Sequence, residues 1–191
     1  VSGSAQPDLT RAPSRAEMAA GFGELAQFIR DEGCDLILLE MMYYPERIDL
    51  VFEAAMATGL PVWAGFAARR SQDGRLLSFA PEREVPFAEL IRPLDAFDVA
   101  VAGVMHTRSD IIGDALDVVR GVFAKPLMAY PDSGYFAMPE WRFEDIIPPA
   151  ELQRFALDWI ERGAQVLGGC CGLSPEHIAA LAPLKRERAG A

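Results

Sequence analysis

The chain has 191 residues, a formal charge of −10, 51% hydrophobic and 24% charged residues, and only three cysteines. This is the composition of one globular domain with a sizeable core, and it is neither that of a disordered segment nor that of a disulfide scaffold. The acidic balance argues against nucleic acid as a partner, since neutralising phosphates needs clustered Lys and Arg, and the one basic cluster, Lys185, Arg186 and Arg188, is broken by Glu187. No apolar run nears the roughly 18 residues of a membrane span, and VSGSAQPDLTRAPSR lacks the basic-then-apolar plan of a signal peptide. A soluble, cytoplasmic protein with free thiols and no membrane partner is therefore expected.

Ser14-Arg15-Ala16-Glu17 has the form of a capping box, and Met18, Phe22, Leu25 and Ile29 recur behind it at helical spacing, with Gly33 placed to end the helix. DLILLEMM (35–42) then reads as a strand covered on both faces. Pro45 opens a second helix, buried through Ile48, Val51, Phe52 and Ala55 and closed by Gly59, and PVWAGFA (61–67) is the next strand. The polar stretch 68–84, with Arg69, Arg70, Arg75 and Arg83, reads as a plain surface loop or a lid. A short helix at 86–92 precedes the strand DVAVAGVM (98–105), a helix over 110–122 and the strand PLMAY (126–130). A helix over 149–162, stopped by Gly163, leads to the last strand QVLGG (165–169) and to a closing helix with Ser174 as cap and Pro175 at its first position.

This alternation predicts parallel strands joined by helical crossovers, the α/β class. Strand starts at 35, 61, 98, 126 and 165 suit the β/α units of a barrel or of an open sheet, and spacing does not choose between them. No Gly-rich phosphate loop follows the first strand, which weakens a nucleotide-binding doubly wound sheet.

In parallel α/β folds the chemistry collects at the C-terminal ends of the strands. Glu40, His106, Asp132 with Ser133, and Cys170 with Cys171 all fall there. Thiolates and neutral imidazole are ligands that zinc prefers, and three protein ligands leave a fourth position open for catalysis. Adjacent cysteines on a regular strand point to opposite faces, but Gly168, Gly169 and Gly172 let the backbone leave that geometry. The alternative is that one cysteine is a small buried hydrophobe.

GGCCGLSPEHI, the YPDSG segment and the strand ends at Glu40 and GVMH resemble the homocysteine S-methyltransferase family. The resemblance runs in order from Val1-Ser2-Gly3-Ser4 to Leu181. It implies a TIM-type (β/α)8 barrel that binds zinc through three cysteines, the last two in GGCCG. It begins near the third barrel strand, so a partial barrel domain over 1–184 lacking the first two β/α units is expected, followed by a short polar tail at 185–191. A fragment of a longer chain is the expectation, and a naturally short protein completed by a partner is the rival.

Three positions depart from the family's pattern. Gly103-Val104-Met105-His106 stands where a Gly-Val-Asn-Cys strand supplies the first zinc ligand, so the expected ligand set is His106, Cys170 and Cys171, with decay of the metal site as the alternative. YPDSG places the Asp132 carboxylate where an amide is expected. Gly65 follows Trp63-Ala64 where the family has a serine.

The activity implied by the resemblance is zinc-dependent methyl transfer from a sulfonium or quaternary-ammonium donor to the thiol of homocysteine or a related thiol. Glu40 is expected to grip the substrate ammonium, or else to pair with an arginine. Asp132 and Ser133 are expected to line the same pocket, or else to cap a turn. Tyr130, Trp63 and Phe66 are either an aromatic wall for a cationic donor or core. His177 reads as structural, and Cys34, at the opposite strand end, is excluded as a ligand. The partners implied are the small-molecule thiol and the methyl donor, with a homo-oligomer left open. The alternative function is a degenerate barrel domain that binds a ligand or partner without catalysis.

Overall fold

The structure, a computed structural model, describes residues 13–137 and 140–187. Helix α1 (Arg15–Asp31) begins at the capping box: the Glu17 N–H donates to the Ser14 hydroxyl at 3.2 Å and the Ser14 N–H to the Glu17 carboxylate at 2.8 Å. Each side chain thus satisfies a donor the helix leaves bare. Gly33 then turns the chain at φ 81°, where a side chain is strained.

The order continues with β1 (Ile37–Met42), α2 (Pro45–Met56) and β2 (Val62–Phe66), followed by β3 (Ala68–Arg70), β4 (Leu76–Ser78) and α3 (Phe87–Leu90). Next come β5 (Val101–Arg108), α4 (Ser109–Arg120) and β6 (Leu127–Asp132), then β7 (Tyr135–Ala137) and β8 (Glu140–Arg142). The chain ends with α5 (Pro149–Glu161), β9 (Ala164–Leu167), α6 (Pro175–Leu181) and α7 (Leu184–Glu187). Strands β1, β2, β5, β6 and β9 lie side by side in that order, and every neighbouring pair is parallel. Neighbours in space that are also neighbours in the chain make a barrel wall, whereas a doubly wound sheet reverses its order at a switch point. The wall is an arc that does not close among the described residues.

Alternate strand residues feed two cores, as the period of two dictates. Ile37, Leu39, Ala64, Ala102, Val104 and Ala129 face the helices, packing with Phe52, Ile112, Leu116 and Trp159. Val101, Met105, Met128 and Tyr130 form the inner core of the arc, with Trp63 and Val166 packed against it. Coverage on both faces, expected of the strands, holds for β5 and β6. On β1, which among the described residues has a strand neighbour on one side only, Leu38 remains 39% exposed.

The stretch 68–84 is built rather than plain. Strands β3 and β4 pair as an antiparallel hairpin, Leu77, Ser78 and Ala80 are buried, and the Arg69 guanidinium donates to the carbonyls of Ala80 and Arg83. Three-residue strands are too short to display a period, so this hairpin and its counterpart β7–β8 left no pattern in the sequence. Residues 185–187 of the expected tail finish α7, while residues 188–191 and the Val1-Ser2-Gly3-Ser4 start of the resemblance lie outside the described residues. Among the described residues no helix is long and apolar enough to cross a membrane.

Candidate metal centre

By strand parity His106 belongs with Ala102 and Val104, on the face that packs against the helices. It does not point there. The register between β5 and β6 shifts between Met105 and Arg108, and His106 takes φ 43°, in the left-handed region. Such a bulge re-aims a side chain, and backbone strain of this kind collects at functional sites. The imidazole is thereby turned inward, with Nδ1 3.4 Å from the Cys170 sulfur. Strand β1 repeats the device: its register shifts between Leu39 and Met42, Met41 takes φ 57°, and the Met41 N–H donates to the Met105 sulfur at 3.3 Å.

Cys170 and Cys171 lie beyond the end of β9, on a loop stitched to the end of β6. The Cys170 N–H donates to the Pro131 carbonyl and the Ser133 N–H to the Cys171 carbonyl, both at 2.8 Å. Gly172 permits this contact: at φ 80°, a Cβ there would lie 1.7 Å from the Ser133 carbonyl oxygen. Off the strand, the two sulfurs escape the opposite facing of neighbours in a pleat and lie 3.8 Å apart.

One ligand atom from each of His106, Cys170 and Cys171 lies within 4.8 Å of the others. Two sulfurs about 2.3 Å from one tetrahedral ion sit about 3.8 Å apart, and a sulfur and a ring nitrogen about 3.5 Å. Two of the three spacings, 3.8 and 3.4 Å, match a zinc-sized ion and the third lies within 4.8 Å, so the donor chemistry fits and closure on an ion asks only for adjustment between His106 and Cys171. Burial favours the neutral forms: it pushes the Cys170 thiol up to about 12, raises the Asp132 carboxyl and lowers His106. A divalent cation inverts this preference at the thiols, which it stabilises as thiolates, and agrees with it at the imidazole, which it binds in the neutral form.

The remaining residues expected at the site divide. Glu40 is exposed at the end of β1, and it pairs with no arginine among the described ion pairs; the Tyr130 hydroxyl donates to its Oε1 at 3.2 Å. Asp132 is buried, 3.9 Å from His106 Nε2 through Oδ2. Ser133 accepts the Ile147 N–H at 2.8 Å. His177 is structural: its Nδ1 accepts from the Ser174 N–H at 3.0 Å, so its Nε2–H donates to the Ile147 carbonyl at 2.7 Å. Cys34 is exposed, before the start of β1 and outside the cluster. Of the three aromatics weighed as a wall, Phe66 belongs to the core against the helices and Trp63 and Tyr130 to the inner core.

The rings that flank the site are others. Phe79 and Trp141 both meet the His106 ring edge to face, at 5.1 and 5.2 Å, and Tyr43 stands 5.9 Å from Phe79. They come from segments that follow β1 and from the two hairpins. Aromatic residues in loops after strand ends were the available signal.

The family model described as Homocysteine S-methyltransferase matches residues 2–184. The chain belongs to the homocysteine S-methyltransferase family. Among its relatives, the selenocysteine methyltransferase of Astragalus bisulcatus is 30% identical over 162 residues, covering 80% of this chain and 45% of that protein. The Escherichia coli homocysteine S-methyltransferase is 28% identical over 160 residues, covering 79% and 48%. The crystal structure of the metallated form of the Escherichia coli homocysteine methyltransferase MmuM covers 91% of this chain and 53% of its own, at 24% identity and a TM-score of 0.69. That likeness shows the fold, and with the strand order it makes the arc a barrel wall of the homocysteine S-methyltransferase type. The chain spans about half the length of the curated relatives it matches.

Proposed function

We propose that this chain carries the zinc site of an S-methyltransferase, which moves a methyl group from a sulfonium or quaternary-ammonium donor to the thiol of homocysteine or a related thiol. The observation that carries this reading is the convergence of one imidazole nitrogen and two sulfurs within 4.8 Å at the C-terminal edge of the sheet.

His106 Nδ1, Cys170 and Cys171 would hold the ion and leave one tetrahedral position open. Zinc bound there supplies Lewis acidity, which keeps an incoming thiol deprotonated at neutral pH. The chain's own groups supply alignment, from which a reaction between two small molecules gains most. Glu40, oriented by the Tyr130 hydroxyl, grips the substrate ammonium. Asp132 and Ser133 stand at the edge of the same pocket, although the Ser133 oxygen already holds Ile147. Phe79, Trp141 and Tyr43 present ring faces and edges that exclude water and suit a methylated cation. In the transfer, a bond forms between the acceptor sulfur and the methyl carbon as the donor's bond to that carbon breaks. The bonding pair leaves with the donor, which becomes neutral, and the thiol proton has gone to solvent.

Three free thiols suit a reducing, cytoplasmic compartment, and the edges of β1 and β9 are places where further strands or a second copy would pair. A second reading, binding without turnover, is favoured by the imidazole in the ligand set, which leaves the site one charge more positive than three thiolates.

The test is zinc content of the purified chain together with methyl transfer to homocysteine from a sulfonium amino acid. Bound zinc with methylated product supports the enzyme. Bound zinc and homocysteine without product selects the second reading, and absence of zinc binding overturns the enzyme and counts for the second reading.

A further inference from the structure

We propose that Asp132 is a positioning residue for His106: its carboxylate takes the imidazole Nε2–H and so leaves Nδ1 as the nitrogen that faces the metal beside Cys170 and Cys171. This rests on the zinc reading above and gives Asp132 a role apart from substrate contact.

The two nitrogens of the His106 ring look in different directions. Nδ1 is 3.4 Å from the Cys170 sulfur, whereas Nε2 is 3.9 Å from Asp132 Oδ2, and both side chains are almost wholly buried, at 7% and 6% exposure. Asp132 Oδ1 is buried with no hydrogen-bond partner among the described residues. A carboxylate with an orphaned oxygen inside a protein is costly unless it receives a donor. Arg108 is the nearby cation, but its guanidinium is turned to Asp110, at 3.0 and 3.2 Å. His106 Nε2 faces the Asp132 carboxylate through Oδ2, so its N–H is a donor available to Asp132.

The backbone prepares this meeting. Met105 pairs with Tyr130 and Arg108 with Asp132, so the register shift that turns His106 inward also sets it beside Asp132 on the neighbouring strand. Phe79 and Trp141 pack edge to face on the ring and limit its swing. A metal-bound histidine that gives its second N–H to a carboxylate is fixed in tautomer and orientation and becomes the more basic ligand.

The test compares the full chain with Asp132→Asn, His106→Cys and the double variant, reading zinc affinity by chelator competition and the visible spectrum of the cobalt(II)-substituted protein. Asp132→Asn is expected to weaken zinc about 10- to 100-fold and to shift the cobalt bands when His106 is present. With Cys at position 106 there is no ring N–H to hold, and the same change should alter affinity less than about threefold.

Equal losses in both backgrounds would make Asp132 a ligand or a general field and overturn the proposal, as would no loss in either. Wild-type protein that binds neither metal removes the zinc reading itself, whereas binding that ignores Asp132 removes only this inference. Nitrogen NMR of the zinc-loaded wild type is independent of any variant's folding: metal on Nδ1 with a protonated Nε2 is expected, and metal on Nε2 refutes it.

Discussion

Gly65 and Tyr130 share one space on the inner face of the arc. A Cβ at Gly65 would lie 2.8 Å from the Tyr130 hydroxyl and 2.7 Å from Met105 Cγ. Because residue 65 has no side chain, the Tyr130 hydroxyl reaches across to Glu40, its partner at 3.2 Å. Gly65→Ala should therefore destabilise the fold by about 1–3 kcal/mol through overpacking. It should also raise the KM for an amino thiol by loosening Glu40. Denaturant melts and KM measurements check this, and adding Tyr130→Phe should relieve part of the destabilisation but none of the loss of binding.

The metal site makes a sharper forecast. Cys170→Ala or Cys171→Ala leaves two of three ligands and should abolish zinc retention through dialysis, whereas His106→Cys should retain it. Elemental analysis of dialysed protein decides between these outcomes. Because burial holds the Cys170 thiol near 12, loading must expel its proton, so zinc affinity should fall as pH is lowered.

Asp132 gives a stability effect of known sign in chelator-treated protein. Burial raises its carboxyl above the unfolded value of about 3.9, so this group's contribution is lost as pH rises from that value through the folded one. Asp132→Asn, which cannot ionise, should match wild type near pH 3 and exceed it at pH 7. Urea titrations at both pH values measure the difference, and zinc should narrow or reverse it.

Ile147 is held at both its backbone groups, its N–H by the Ser133 oxygen and its carbonyl by His177 Nε2. Ser133→Ala and His177→Ala should each cost about 1–2 kcal/mol, because a partly buried backbone group loses its partner. Their combination should fall short of the sum, as both act on one residue. Hydrogen exchange at the Ile147 amide should quicken in Ser133→Ala.

Much of the wall was legible because its signals are local. DLILLEMM and DVAVAGVM are continuous apolar runs, and Ser14 with Glu17 and Gly33 mark the ends of α1 by chemistry confined to a few residues. The hairpins were not legible, since three residues carry no period and Leu77 is buried only by what packs over it. The flanking rings were missed with them. Ser133 and His177 meet at Ile147 from segments that nothing in their own neighbourhood connects.

The amino-acid sequence by itself determined the order and type of the main elements, the family, and which side chains stand at the strand ends, because capping, periodicity and motif spacing are properties of short stretches. Tertiary structure decided which way those side chains face. Strand parity alone sends His106 toward the helices, and only the register shift against β6, with its strained φ of 43°, turns the ring to Cys170 and Asp132. A bulge is set by the competition between neighbouring strands for hydrogen bonds, and no window along one strand contains that competition.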